Sequence, residues 1–137
     1  MTTGETRNER LVRDFFATLS SGDLEALRPL FHENASWEAT SQSIPSAGIT
    51  RGRDKIIDEF LAPVRGLFEP GDPKVIVLRL IARNEWVAAE TEAVGKLTNG
   101  NDYHNRYAWI IEIRDDKIYA LREYMDSHYI LKQLKML

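Results

Sequence analysis

The second half of the chain constrains its fold most. "KVIVLRLIAR", "WVAAETEAVGKL", "YHNRYAWIIEIR" and "KIYALREYMD" are long runs rich in β-branched and aromatic residues, joined by the short turns "NE", "TNGN" and "RDD". Such runs, separated by a few polar residues, read as consecutive strands of an antiparallel meander. Asn99-Gly100 is the strongest hairpin signal among them, because both residues tolerate the positive φ of a tight turn.

The first half has the other period. Between Thr6 and Ser20, the residues Leu11, Val12, Phe15, Phe16 and Leu19 fall at helical spacing. "SGD" breaks that helix, and Asp23 is placed to cap a short second one, "LEALRPLF". "ASWEAT" reads as a short strand and "SQSIPSAGITRG" as a polar loop. A third helix is expected over residues 54–67, with Ile56, Ile57, Phe60, Leu61 and Val64 as its apolar stripe and Pro63 kinking it or ending its regular part. "HYILKQLKML" is expected to form a short helix or an ordered tail. Helices followed by a meander specify an α+β domain with the helices on one face of the sheet. No repeat or linker divides the chain, so residues 1–137 are read as one domain, with 1–5 as a flexible start.

Composition removes several function classes. The chain is 43% hydrophobic and 28% charged, which suits a globular domain. A formal net charge of −3 is the wrong sign for a nucleic-acid partner. No run approaches the roughly 20 apolar residues that span a bilayer, so no membrane partner is expected. The polar start "MTTGETRNER" does not read as a signal peptide, and a cytoplasmic protein is expected. With no cysteine, disulfides and thiolate chemistry are excluded. His32, His104 and His128 are scattered, and "FHEN" is not the His-Glu-x-x-His motif, so neither a metal nor a cofactor is expected. "GITRGRDK" lacks the pattern of a phosphate loop, and "SQSIPS" lacks that of a nucleophile elbow.

The chemistry, if any, lies in "VAAETEAV", where Glu90 and Glu92 share one face of a strand. With Asn99-Gly100 as a two-residue turn, Glu92 lies opposite Tyr107, Glu90 opposite Trp109 and Val94 opposite Asn105. A bulge at Gly95 would shift that pairing. The last hairpin is open: a three-residue loop Arg114–Asp116 sets Glu123 opposite Tyr107, whereas a two-residue Asp115-Asp116 loop turns it to the other face. Charges on one face ordinarily mean water there. Yet this face also carries Trp86, Tyr107, Trp109, Ile111, Ile113, Leu121 and Met125, too much apolar surface to leave wet. The opposite face sets Ala89, Ala93, Ala108 and Ile110 among Arg106, Glu112, Arg122 and Asp126, which suits contact with another subunit.

Through "SSGDLEAL", "LFHENASWEA", "AGITRGRDKIIDEFL", "VAAETEAVGKLTNGNDYHNRYAW" and "RDDKIYALREYMD", nearly the whole chain resembles the SnoaL-like group of the nuclear transport factor two superfamily. That superfamily includes ketosteroid isomerase, limonene epoxide hydrolase and scytalone dehydratase. The resemblance implies a cone: a strongly curved, mostly antiparallel sheet wrapped around three N-terminal helices, enclosing a pocket, commonly dimeric through the outer sheet face. It also implies that the glutamate face is the pocket face, with Trp37, Asn105 and Tyr107 lining it. Laid on ketosteroid isomerase, the general base falls at Ala39, the oxyanion-hole tyrosine at Phe15 and the protonated aspartic acid at Trp109, so that mechanism is absent. The Asp-Arg-Asp trio of limonene epoxide hydrolase falls at Glu92, Glu90 and Glu123; the acids survive as glutamates and the bridging arginine does not.

Glutamates sharing a dry pocket repel one another and hold protons near neutral pH. Glu92 and Glu123 are therefore the expected proton carriers and Tyr107 their hydrogen-bonding partner. Phe15, Trp37, Phe60, Glu90, Asn105, Trp109 and Met125 are the expected ligand contacts. The function so read is acid/base chemistry, of isomerase, cyclase, dehydratase or hydrolase type, on a small hydrophobic cyclic or carbonyl compound. The alternative is a non-catalytic ligand-binding or homodimeric association module. Each residue also has a plainer reading: Phe15, Trp37 and Trp109 as core, Asn105 as a partner for backbone, Glu90 as a rim ion pair with an arginine.

Overall fold

The structure, a computed structural model, describes residues 5–137. The expected flexible start falls mainly on residues 1–4, outside the described residues; Glu5 already accepts from Arg13 Nε at 3.0 Å.

The first helix, Arg7–Ser21, opens on a capping box in which Thr6 accepts from Glu9 N at 3.0 Å and the Glu9 side chain accepts from Thr6 N. Val12, Phe15, Phe16 and Leu19 form its buried stripe. Asp23 caps the short helix Leu24–Leu27, and Pro29 then permits only a 3₁₀ turn, Arg28–Leu30. The third helix is composite. An α-turn, Arg53–Lys55, runs into a π-bonded segment, Ile56–Leu61, and then into Ala62–Arg65. Ala62 N bonds Ile57 O five residues back, so the ladder is already rearranged where Pro63 has no N–H to donate, and the helix continues past it.

Six strands follow or interleave: β1 (Phe31–Ala39), β2 (Gly48–Arg51), β3 (Lys74–Arg83), β4 (Trp86–Lys96), β5 (Asp102–Arg114) and β6 (Lys117–Met125). They form one curved sheet in the order β2-β1-β6-β5-β4-β3, antiparallel throughout except where β1 runs parallel to β6. The meander of the second half is present as read. β2 lies inside what reads as loop, because four mostly exposed residues at a sheet edge leave no alternation to detect. The first and third helices pack on the concave face, where Phe15, Phe16, Ile56 and Ile57 meet Trp37, Trp109, Ile111 and Leu121 in one core. No helix among the described residues is long and apolar enough to cross a membrane.

One turn corrects the expected register and a second settles the one left open. Asn99-Gly100 is not a two-residue turn: Gly100 N bonds Leu97 O at 2.9 Å and Leu97 N bonds Asn101 O at 2.9 Å. Thr98, Asn99 and Gly100 thus form a three-residue loop, with Gly100 in the left-handed region at φ 92°. The extra residue slips the pairing by one, so Glu92 pairs with Arg106, Glu90 with Ala108 and Thr91 with Tyr107. Ala89, Thr91 and Ala93 now share the inner face with Trp109, Tyr107 and Asn105, while Glu90, Glu92 and Trp86 point outward.

At the other end, Asp115 and Asp116 form the two-residue turn, both with positive φ (52° and 59°), between the paired residues Arg114 and Lys117. That alone would turn Glu123 outward. A bulge next to it, where Glu112 pairs with Ala120 but Ile113 with Ile118, leaves Tyr119 unpaired and shifts the register back. Glu123 lands opposite Trp109, on the inner face.

Candidate functional site

The inner face, the third helix and the C-terminal helix Ser127–Gln133 enclose a cavity of about 400 Å³. Its walls are mostly apolar. Trp37, Phe60, Trp109 and Met125, all expected ligand contacts, line it, as do Tyr107 and Glu123. The aromatic wall is tightly coupled: Trp37 meets Trp109 edge-on at 5.6 Å between centroids, and Tyr107 stacks on Trp109 at 5.6 Å.

Glu123 is the acid of this site. It is 7% exposed, held on β6 by the bulge, and its Oε1 accepts from Trp37 Nε1 at 3.0 Å. Thr40 bonds its backbone carbonyl, but within the described residues its carboxyl has no other hydrogen bond or ion pair. Burial pushes its carboxyl up from 4.5 to about 7, against the opposing pull of the Trp37 hydrogen bond. The group therefore changes charge close to neutral pH.

Two phenols supply the remaining polar wall. Tyr103 and Tyr107, four apart on β5 and on the same face, touch through their hydroxyls at 2.6 Å, and Asn105 Nδ2 donates to Tyr103 Oη at 3.1 Å. One hydroxyl proton lies between the two oxygens, so the other remains for a ligand, since both residues line the cavity. Burial raises both phenols, Tyr107 well above its ordinary 10.0, so both are neutral donors. Asn105 does not line the cavity. It is buried behind Tyr103, also donates to Asp126 O at 3.2 Å, and so positions the pair. Phe15 is likewise one layer back, packed on Phe16, Phe31 and Trp37.

Glu90 and Glu92 are not brought into the cavity. Glu90 pairs with Arg79 at 3.0 Å on the outer face, which matches its plainer reading as an ion-pair partner. Glu92 lies against His104 Nε2, and that hydrogen bond, helped by Arg106, holds its carboxyl below the ordinary range. The one-residue slip at Gly100 is the physical reason. The Glu92–Glu123 pair expected from the sequence is thereby separated by the thickness of the sheet.

The sequence reading missed several wall residues. Tyr103 was legible, since it shares the parity of Asn105, Tyr107 and Trp109 along β5. Thr91, behind the wall and buried, is legible once the register is known; its hydroxyl accepts from Trp109 Nε1 at 2.9 Å and fixes that ring. Ile130 and Leu134 reach the cavity because Asn99 and Asn101 of the hairpin loop both donate to Gln133 O, at 2.9 and 2.8 Å. Nothing in the sequence pairs that loop with that helix. Ile44, Pro45 and Ser46 close another side from within the polar loop. Among the described residues, no cluster of His, Asp and Glu could hold a metal ion.

Comparison with known proteins agrees with this architecture. The SnoaL-like domain family matches residues 12–121. No curated protein matches the sequence. Among solved structures, an NTF2-like protein from Burkholderia xenovorans LB400 is 23% identical, with 95% of this chain and 98% of that one covered at a TM-score of 0.75. TerC, co-crystallized with polyporic acid, is 17% identical over 95% of this chain and 99% of its own, with a TM-score of 0.83. A protein with a ketosteroid isomerase-like fold from Catenulispora acidiphila DSM 44928, in complex with trimethylamine, is 18% identical over 99% and 96% of the two chains, with a TM-score of 0.79. At these identities the likeness is one of fold.

Proposed function

This chain belongs to the SnoaL-like domain family, and from that premise we propose that its cavity is the active site of an acid/base enzyme acting on a hydrophobic carbonyl compound. Glu123 is the proton carrier and the Tyr103–Tyr107 pair polarises the carbonyl. The observation that carries this reading is the placement of Glu123: a carboxyl buried in an apolar wall, held by one tryptophan N–H, and poised at about 7. A carboxyl there is populated in both protonation states at neutral pH, which is what proton abstraction and return require. In its ionised form it takes a proton from the carbon next to the carbonyl. The electrons move onto the carbonyl oxygen, where the spare phenol O–H stabilises them. The same carboxyl then returns the proton to that carbon or to a conjugated one. TerC, which shares this fold, is co-crystallized with polyporic acid, and that supports reading the present cavity as a site for a small organic molecule.

The outer face supports self-association through the convex sheet. Ile76 and Ile81 on β3, Trp86 on β4 and Tyr124 on β6 are exposed on this face, the first three by 49%, 65% and 42%, apolar groups set among charges such as Arg79 and Glu90 in the mixture a partner covers.

Deuterium incorporation from heavy water into a panel of cyclic and aryl ketones, read by NMR, tests the chemistry without knowing the substrate. The wild type is expected to exchange the α-protons of at least one member. Glu123→Gln is expected to lower that rate by about 10²–10⁴-fold with unchanged circular dichroism. Binding without exchange by the wild type, with binding unaltered in Glu123→Gln, would instead establish the ligand-binding reading.

A further inference from the structure

The cavity has a second charged wall, far from Glu123. Arg65 ends the third helix, half-buried where the first helix finishes, and lines the cavity beside Leu19, Pro73 and Val75. Its Nη1 donates to Leu19 O at 2.8 Å. Gly22 makes room for it: a Cβ there would sit 3.0 Å from Nη2. That accounts for one of the five N–H donors of a guanidinium. Among the described residues Arg65 forms no ion pair. Asp72 is the acid it senses electrostatically, and Asp72 is engaged elsewhere, accepting from Lys96 N at 3.0 Å. Burial lowers the Arg65 pKa, but a guanidinium stays charged. The other acid on the same helix wall, Glu59, is exposed to solvent.

A partly desolvated cation with no carboxylate bonded to it, on the wall of an apolar cavity, is an incomplete arrangement. Its planar fork fits a carboxylate in two parallel hydrogen bonds, and the apolar surroundings strengthen the attraction. Glu123 lies on β6, and Arg65 shares its stretch of wall with Val75 of β3, the edge strand three places from β6 in the sheet order. Between them the walls are Trp37, Phe60, Val64, Phe68 and Leu97.

On the reading of the cavity as a ligand site, we infer that Arg65 anchors a carboxylate, so that the ligand is a hydrophobic acid: anionic at the Arg65 end, apolar along its length, and carrying its reactive carbonyl at the Glu123 end. Arg65 selects and orients the ligand and takes no part in the proton transfer. The remote charge fixes which carbon faces Glu123.

A matched pair of probes isolates this role: 6-phenylhexanoate and its methyl ester, with binding followed by quenching of tryptophan fluorescence. The wild type is expected to bind the acid at least 10-fold more tightly than the ester. Arg65→Gln is expected to bring the two within about 2-fold of each other while leaving the ester's affinity unchanged. A merely structural role at Leu19 O would weaken both probes alike and preserve their ratio, and would overturn the inference. Should Arg65→Gln fail to fold, Arg65→Lys keeps a charge without the fork; an intermediate preference supports the anchor and an unchanged one overturns it. Equal or tighter binding of the ester by the wild type overturns the anchor alone. If neither probe binds, both the anchor and the proposed ligand site are overturned.

Discussion

Glu92 and Glu123 are strands apart in one sheet, and their carboxyls are driven in opposite directions. Glu92, half-buried on the convex face, meets His104 and Arg106 there, and its pKa falls. Glu123 sits on the concave face with one tryptophan N–H and a wall of aromatic carbon, and its pKa rises to about 7. The residue type is the same, and so is the strand environment. What differs is the face, and the face is set by single residues in two turns: Gly100 in a three-residue loop turns Glu92 out, and the Tyr119 bulge turns Glu123 in. The protonation of a glutamate on this sheet is therefore a consequence of register as much as of residue type.

The largest expected effect that sharpens this contrast is the loss of proton exchange in Glu123→Gln described above, with Glu92→Gln within about 2-fold of wild type in the same assay. The next is a stability difference that depends on pH. Folded Glu123 holds its proton up to about 7, while the unfolded chain releases it near 4.5. The folded state therefore carries the extra proton between those values. The stability this contributes is complete below about 4.5 and is lost as the pH rises through 7. Urea unfolding at pH 5 and pH 8.5 is expected to show the wild type losing about 2.5 kcal/mol relative to Glu123→Gln. Parallel behaviour of the two proteins would place Glu123 in water.

A smaller effect concerns Trp37. Its N–H stabilises the ionised carboxylate, so Trp37→Phe is expected to raise the Glu123 midpoint by about one pH unit, read from the same unfolding series. A midpoint that stays put would remove the hydrogen bond from the account. Smallest of all is Glu92→Gln. A pair with an exposed histidine contributes little, so Glu92→Gln is expected to lower stability only slightly near neutral pH, an effect that disappears in acid as the carboxylate is protonated, and to leave probe binding at its wild-type value. A change in probe affinity there would mean that Glu92 reaches the cavity.

The sequence made the architecture legible because periodicity survives averaging. The stripe Val12, Phe15, Phe16, Leu19 and the alternation along β5 are repeated many times, and a single exception does not erase them. The site was legible only in part. Trp37, Phe60, Tyr107, Trp109, Glu123 and Met125 come together as expected, since each lies on a well-patterned element. Glu90 and Glu92 do not, because one residue in a loop reverses a whole strand, and Asn-Gly is compatible with both loop lengths. Arg65 and the C-terminal helix lay beyond pattern reading altogether. Arg65 is defined by an unmet charge, and Ile130 and Leu134 are held by amide contacts from Asn99 and Asn101 that leave no periodic trace.

The most direct measurement is a ¹³C NMR titration of the glutamate side-chain carboxyls, with Glu92→Gln and Glu123→Gln supplying the assignments. The account requires Glu123 to titrate at about 7 and Glu92 below the ordinary carboxylate range in the same sample. Glu123 titrating near 4.5 would contradict it, since a carboxyl at its ordinary value is solvated and has no dry cavity around it.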